Sequence, residues 1–200
     1  TGKEHVLPIL IGGGRNGKST IVEAIAHAIG PYATSAAPST FMNGPKSSIR
    51  NDVASLHGAW LIRMSELNAG QTLDAALVKQ FTGGDLISAR RLYGEFFEFN
   101  PNSLVVMLTN VAPVFDGSDQ GLARRVQFVP FDRVVAMDDF DTDLPSKLRA
   151  EAPGIIKWLL RGCLDYYWRG GLQPPASMIE AKNAVLHEAN QVLQFVEDCC

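Results

Sequence analysis

Residues Gly12-Gly13-Gly14-Arg15-Asn16-Gly17-Lys18-Ser19, followed by Thr20, fit the phosphate-loop pattern G-x-x-x-x-G-K-[ST] with no mismatch. With glycine near its average usage, a chance match in a chain this long is roughly a one-percent event. The motif requires a strand before it and a helix after it. An apolar run, Val6 to Ile11, precedes the loop and reads as a buried strand. After it, Ile21, Ile25, Ala28 and Ile29 recur on one helical face, and Gly30-Pro31 ends that helix. A polyphosphate needs several N–H donors at close range, and a helix N-terminus supplies them together with a favourable dipole. Gly12 to Thr20 are therefore the candidate nucleotide-binding residues. Lys18 is expected to reach the β- and γ-phosphates of ATP, and the Ser19 hydroxyl to hold Mg²⁺.

The rest of the composition narrows the class. Two hundred residues suit one domain with at most an appendage. Apolar content of 46% and charged content of 20% are ordinary for a globular protein. No apolar run is long enough to cross a membrane as a helix. A chain that opens on Thr1 with no secretory signal is expected to be a fragment or a processed product. Cys163, Cys199 and Cys200 form no C-x-x-C pair, which fits a reduced cytosolic compartment. The four histidines are scattered and suggest no metal site. A net charge of −3 argues against electrostatic coating of duplex DNA, but not against a ring that grips one strand with a few basic residues per subunit.

Along the chain, strands and helices alternate. A short strand is expected within Tyr32 to Pro38, a loop over Thr40 to Lys46, and a helix over Ser47 to Leu56. Ala59 to Met64 is the next apolar strand, running into Ser65-Glu66. Leu73, Leu77 and Phe81 line a helix that stops at Gly83-Gly84. Ile87 to Tyr93 and Phe96 to Phe99 read as a hairpin turning at Gly94-Glu95. Leu104 to Leu108 is a central strand ending at Thr109-Asn110, and Arg124-Arg125 introduce a last strand, Val126 to Phe131. An acidic loop with Asp138, Asp139, Asp141 and Asp143 reads as a solvated linker.

From Gly154 the pattern is helical. Ile155, Leu159, Cys163 and Tyr167 form one row and Ile156, Leu160, Leu164 and Trp168 the next, and such rows are expected to be core. Gly170-Gly171 ends this helix, Pro174-Pro175 is a hinge, and Ala176 to Cys200 is helical again with a break expected near Asn190. The expected division is a core over residues 1–150 and a C-terminal helical segment over residues 151–200.

Alternation around a phosphate loop predicts an α/β fold with a mostly parallel sheet, whose active residues cluster at the carboxyl ends of the strands. Three strand ends carry candidates: the loop at Gly12, Glu66 and Asn110. Glu66 can polarise an attacking water or join the Mg²⁺ shell. Asn110 can hold that water or read the γ-phosphate.

The order of these pieces resembles the superfamily three helicases, ring ATPases of small viruses, phages and plasmids. Within them the chain looks most like the helicase part of phage-satellite and plasmid primase-helicases, a group that includes the poxvirus primase-helicase. The resemblance rests on Asn16-Gly17-Lys18-Ser19-Thr20, Leu61 to Glu66, Lys79-x-x-Thr82-Gly83-Gly84-Asp85 with Arg90, Asn110, and Gly121-x-x-Arg124-Arg125 running on to Pro130-Phe131. It covers residues 6 to 131 well and continues weakly through Trp158, Gly171-Leu172 and Phe195.

The resemblance implies an AAA-like P-loop fold. It implies Glu66 as the acidic end of the second Walker motif, Asn110 as the sensor, and Arg124 or Arg125 as an arginine finger given to a neighbour's ATP. Arg125 adjoins the apolar strand and is the favoured one. Lys79 to Arg90 match the motif leading into a DNA-contacting hairpin. Ser65 stands where many P-loop enzymes carry a first acid, so Mg²⁺ leans on Ser19, Glu66 and waters. Gly94-Glu95 replace a basic hairpin tip, which leaves Lys79, Arg90, Arg91 and Tyr93 as the DNA-binding candidates.

The expected protein is an ATP-dependent helicase motor that works on single-stranded DNA as a homo-oligomeric, hexameric ring. The resemblance adds a primase, fused or separate, a bacterial host cytoplasm for a phage or plasmid protein, and no membrane. No primase residues stand in this chain. Two rivals share the phosphate loop. A small-molecule kinase would need an acceptor site and a lid. A non-catalytic nucleotide-dependent ring that binds DNA or protein would have no use for Glu66.

Overall fold

The computed structural model describes residues 3–46, 50–65 and 68–199, with side chains described as far as residue 187. A five-stranded sheet is built from β1 (Leu7–Ile11), β2 (Ala33–Ser35), β3 (Leu61–Ser65), β6 (Leu104–Thr109) and β7 (Val126–Pro130). Its spatial order is β2-β3-β6-β1-β7, and each pairing is parallel. This is the α/β class with a parallel sheet that the alternating pattern predicts. Register brings the carboxyl ends level: Ile11 pairs with both Thr109 and Pro130, and Ser65 pairs with Leu108. Whatever follows β1, β3 and β6 therefore emerges along one edge.

Side-chain alternation divides the sheet into two buried faces. Leu10, Leu61, Val106 and Leu108 pack with Val22 and Ala26 of α1 (Lys18–Ile29). On the opposite face Leu7, Ile9, Ile62, Met64, Val105, Met107 and Phe128 pack with Val53 of α2 (Asn51–Ala54), with Leu77 and Phe81 of α3 (Ala75–Gly83), and with Leu122 of α4 (Gln120–Ala123). The stripe that α1 buries is broader than the expected one: Ile25 and Ile29 pack against this cluster as expected, with Val22 and Ala26 at its centre. Val22 and Ala26 are buried, whereas Ile21 is exposed. The phase is set by Lys18, whose buried side chain occupies the first place of the inward row.

The hairpin pairs β4 (Ile87–Arg90) antiparallel with β5 (Phe96–Phe99), in the register Ile87 with Phe99 and Arg90 with Phe96. The second strand has the expected bounds, but the first is shorter than the sequence suggests. Arg91, Leu92 and Tyr93 belong to the turn, not to a strand, and Tyr93 has a left-handed φ of 61°. Asn51 Oδ1 accepts the Leu92 N–H at 3.1 Å, which docks the turn on α2.

After β7 the chain forms a single turn at Met137–Asp139, then α5 (Leu144–Ala150), α6 (Ala152–Arg169) and α7 (Ala176–Cys199). The backbone of α7 is helical through Asn190, without the expected break. It lies along β7, and its Ala181, Val185 and Leu186 pack on the main core. Helix α6 packs on α1, but the two apolar rows do not form core. Ile155, Ile156 and Leu159 are half-buried, while Leu160, Leu164, Tyr167 and Trp168 are exposed, Trp168 to 80%. A helix lying on the outside of α1 can bury only one of its faces there, and Leu160, Leu164 and Trp168 of the second row stay exposed.

Helix α3 starts at Asp74, whose Oδ1 accepts the Leu77 N–H at 3.1 Å. The other carboxylate oxygen pairs with Lys46. Burial works to raise the Asp74 pKa, but the bonds from Lys46 and Leu77 and the nearby charges of Lys46 and Arg50 outweigh it and hold the pKa low. Such a group contributes stability that is present above the unfolded carboxylate value of about 3.9 and is lost as pH falls through the lower folded value. Asp74→Ala is expected to lower the unfolding free energy at neutral pH by about 0.5–2 kcal/mol, and to remove part of the stability that the parent loses below about pH 4. Urea unfolding at pH 7 and at acid pH measures both. Equal midpoints for parent and variant at neutral pH contradict the role.

Candidate functional site

The carboxyl edge of the sheet opens into a cleft of about 400 Å³, lined by residues 14–20 with Ser65, Thr109 and Asn110. Lys18 points along its floor. Its Nζ donates to Gly12 O at 2.6 Å, Asn16 Oδ1 at 3.0 Å and Asn110 Oδ1 at 3.2 Å. Two candidates 92 residues apart in sequence therefore touch. Lys18 is only 6% exposed, and burial lowers its pKa. Its three acceptors are neutral oxygens. The Thr109 hydroxyl fixes the turn that presents Asn110, donating to Val111 O at 2.7 Å and accepting from Val111 N at 3.2 Å.

The loop is shaped by left-handed residues, Gly14 at φ 95°, Arg15 at 46° and Gly17 at 83°. Gly17 caps α1 with no side-chain bond, and the first helical N–H taken up is that of Ile21, by Gly17 O. The N–H groups of Lys18, Ser19 and Thr20 have no acceptor among the described residues, and these three residues line the cleft, where an anion site needs such donors. From outside, the segment after β7 braces the loop. Asn16 Nδ2 donates to Phe131 O at 2.9 Å, and Val135 N donates to Arg15 O at 2.8 Å. Gly12 is required by this close approach, since a Cβ there would lie 2.3 Å from Phe131 O and 2.4 Å from Asn16 Nδ2. The double role of Asn16, clamp to Phe131 and partner of Lys18, is not readable from the motif, which allows any residue at that position.

Ser19 and Ser65 both line the cleft, and their hydroxyls suit a cation such as Mg²⁺ that keeps most of its waters. No cluster of three or more His, Cys, Asp or Glu that could hold a metal occurs among the described residues. Glu66 follows Ser65 directly and lies outside the described residues. A larger cavity of about 580 Å³ opens beyond Ser19 and Thr20 between α1 and α5, lined also by Glu23, Arg63 and Arg149. It is not lined by Gly14, Asn16, Lys18 or Asn110, so the smaller cleft is the candidate phosphate site.

The arginine pair lies in the turn between α4 and β7, and its two members are placed differently. Arg125 is only 8% exposed. Its Nε donates to Thr82 Oγ1 at 2.9 Å and its Nη1 to Gly121 O at 2.7 Å. A side chain so held is tied into its own subunit, whereas a residue given to a neighbour's ATP is expected at the surface. Arg124 is the exposed member. Lys79 is also committed: it sits on α3, not on the hairpin, and its Nζ is 2.5 Å from Asp119 Oδ2. That bond and the Leu122 N–H hold the Asp119 carboxyl below its usual pKa. Asp119 caps α4; the signal for it is an Asp followed three residues later by the apolar Leu122.

The hairpin keeps three of its candidates together. The Arg90 guanidinium lies over the Phe96 ring at 5.4 Å and that of Arg91 over Phe97 at 5.8 Å. Phe96 is exposed and Phe97 packs on the core, so the two arginines take opposite faces. Tyr93, at the tip, is 95% exposed.

A family of unknown function, DUF5906, matches residues 10–125, which hold the phosphate loop, Asn110 and both arginines. The protein named "Putative helicase L207/L206" of Acanthamoeba polyphaga mimivirus is 31% identical over 133 residues, covering 66% of this chain and 14% of its own length. "Putative helicase 022R" of Frog virus 3 is 29% identical over 217 residues, covering 98% of this chain and 22% of its own length. The chain thus spans under a quarter of either relative. A structure of the NrS-1 C-terminal region superposes with a TM-score of 0.67 at 15% identity, over 94% of this chain and 43% of that one. That likeness is one of fold.

Proposed function

The chain belongs to the family of unknown function DUF5906, and within that family we propose that it is the ATP-driven motor of a viral replication helicase of the superfamily three kind. The observation that carries the reading is the meeting of Lys18 with Asn110 beneath the free N–H groups of the α1 N-terminus. One γ-phosphate placed there meets a loop cation and a strand-end amide at once. The helicase names of two viral relatives support the same class. Because both come from viruses of eukaryotes, we assign the motor to a viral replicon and not to a particular bacterial host.

In this reading the loop N–H groups and Lys18 bind the phosphates and stabilise the charge that develops during transfer to water. Glu66 takes the proton of the attacking water, and Asn110 orients that water or the γ-phosphate. Mg²⁺, held by Ser19 with waters and Glu66, would neutralise phosphate charge. Arg124, exposed at the end of α4, completes the site of a neighbouring subunit in a homo-oligomeric ring, expected to be hexameric. Residues 1–150 form the motor core and residues 151–200 an attached helical segment. The hairpin contacts single-stranded DNA: Tyr93 supplies a stacking face, and Arg90 and Arg91 meet the backbone. A primase belongs, if present, to other parts of the protein.

Lys18→Ala and Arg124→Ala are each expected to remove ATP turnover, the second by about 10³- to 10⁵-fold if the arginine acts in trans. Mixing the two inactive proteins is expected to restore part of the ATPase, because some interfaces then combine an intact loop with an intact arginine. Subunits that demonstrably mix with no recovery contradict the trans role. Full turnover by a folded Lys18→Ala protein contradicts the site itself.

Tyr93→Ala is expected to weaken binding of a fluorescent oligo-dT strand by about 1–3 kcal/mol, with unfolding unchanged. Unaltered anisotropy titrations would remove the hairpin tip from the DNA path.

A further inference from the structure

Two sequence segments that the nucleotide cleft does not use meet in the fold. One is Lys79-x-x-Thr82-Gly83-Gly84 on α3, and the other is Asp119-x-Gly121-x-x-Arg124-Arg125 around α4. Two polar bridges join them. Lys79 pairs with Asp119, and Arg125 reaches back from the end of α4 to the Thr82 hydroxyl while also donating to Gly121 O. The approach is close at Gly121, where a Cβ would lie 3.1 Å from both Asp119 Oδ1 and Lys79 Cε and would make these side chains shift by a few tenths of an ångström.

What each end of this junction leads to gives it meaning. Helix α3 ends at Gly84 and runs within three residues into β4, the first strand of the hairpin. Arg124, the exposed arginine, is the residue before Arg125, and Arg124 O accepts from Gln127 Nε2. Arg125 O accepts the Leu7 N–H at 2.8 Å, at the start of the strand that delivers the phosphate loop. A single buried residue thus bonds to the helix carrying the hairpin, to the turn carrying Arg124, and to the strand carrying the loop. Thr82 is itself anchored, donating to Val78 O at 2.7 Å. A buried guanidinium whose bonds go to neutral oxygens costs desolvation that no ion pair offsets. A well-packed apolar residue would serve stability alone at least as well.

We propose that Arg125, bonded to Thr82 and Gly121, is a positioning residue that couples the hairpin on α3 to the exposed Arg124, so that a strand of DNA on the hairpin sets the placement of the arginine given to the neighbour. The inference rests on the function proposed above. A planar guanidinium bridging two elements transmits a displacement of one to the other, because its bonds hold only over a narrow range of angles. The coupling is reciprocal: nucleotide at the interface also shifts DNA affinity.

The test uses the protein with Thr82→Val, which keeps the shape and removes the acceptor of Arg125 Nε, and with Thr82→Ser, which restores a hydroxyl. ATPase kcat and KM are measured with and without oligo-dT, beside melting and oligo-dT affinity. For Thr82→Val the expected result is an unchanged basal kcat, KM and DNA affinity, with the stimulation by DNA reduced about fivefold or more. Thr82→Ser is expected to recover it. Full stimulation in a folded Thr82→Val protein, or a loss that Thr82→Ser does not recover, overturns the coupling. If Thr82→Val does not fold, Asp119→Asn, which keeps the α4 cap and weakens the Lys79 bridge, decides by the same comparison, and undiminished stimulation overturns the proposal. A parent protein with no ATPase fails differently: it overturns the proposed function itself.

Discussion

A buried lysine held by neutral oxygens is the constraint around which the rest is arranged. Lys18 Nζ spends its three donors on Gly12 O, Asn16 Oδ1 and Asn110 Oδ1, and no carboxylate among the described residues meets it. A buried cation without an anion is costly, and burial accordingly lowers its pKa. The N–H groups that open α1 are positive partial charges with the same lack. A polyphosphate answers both at once. The parallel sheet exists, in functional terms, to hold those groups at one edge. Level register of β1, β3 and β6 delivers the loop, Ser65 and Asn110 there, and the segment after β7 clamps the loop through Asn16 and the backbone of Arg15.

Around this centre lie two peripheral devices, an exposed hairpin and an exposed arginine, joined by a buried junction. Arg125 and Arg124 illustrate how adjacent, chemically identical residues acquire different tasks. The turn from α4 into β7 sends one inward to Thr82 and Gly121 and leaves the other in solvent. The inward residue is tied into its own subunit, and the outward one is exposed. Lys79 is a similar case. Its charge suggests a phosphate contact, but the nearest carboxylate, Asp119, belongs to the cap of α4 and takes the lysine into the structure.

Much of this was legible from residue order alone. The motif, its flanking apolar runs and the strand ends located the cleft, because a phosphate loop admits few backbone arrangements and parallel strands end together. The phase of α1 was only partly legible: Ile25 and Ile29 pack inward as expected, but Ile21 does not. Counting Lys18 as polar shifts the apolar stripe onto Ile21, whereas its buried stem starts the inward row at Val22 and Ala26. The rows of α6 misled in another way. Periodicity reports that Leu160, Leu164 and Trp168 share a face, not that a partner within the same residues covers it. The Thr82–Arg125 bond joins residues 43 apart, and no local pattern encodes such a pairing. The turn of the hairpin begins earlier than Gly94-Glu95 suggests because Tyr93, not glycine, takes the left-handed position.

The central claim is that the free N–H groups of the loop and Lys18 form a triphosphate site. Hydrogen exchange of the peptide spanning residues 12–20, read by mass spectrometry with and without a non-hydrolysable Mg-ATP analogue, addresses those N–H groups themselves. The account predicts strong slowing in that peptide and in the one containing Asn110, with α6 unchanged. Unaltered exchange of residues 12–20 at saturating analogue, from a protein whose core strands remain protected, would contradict it.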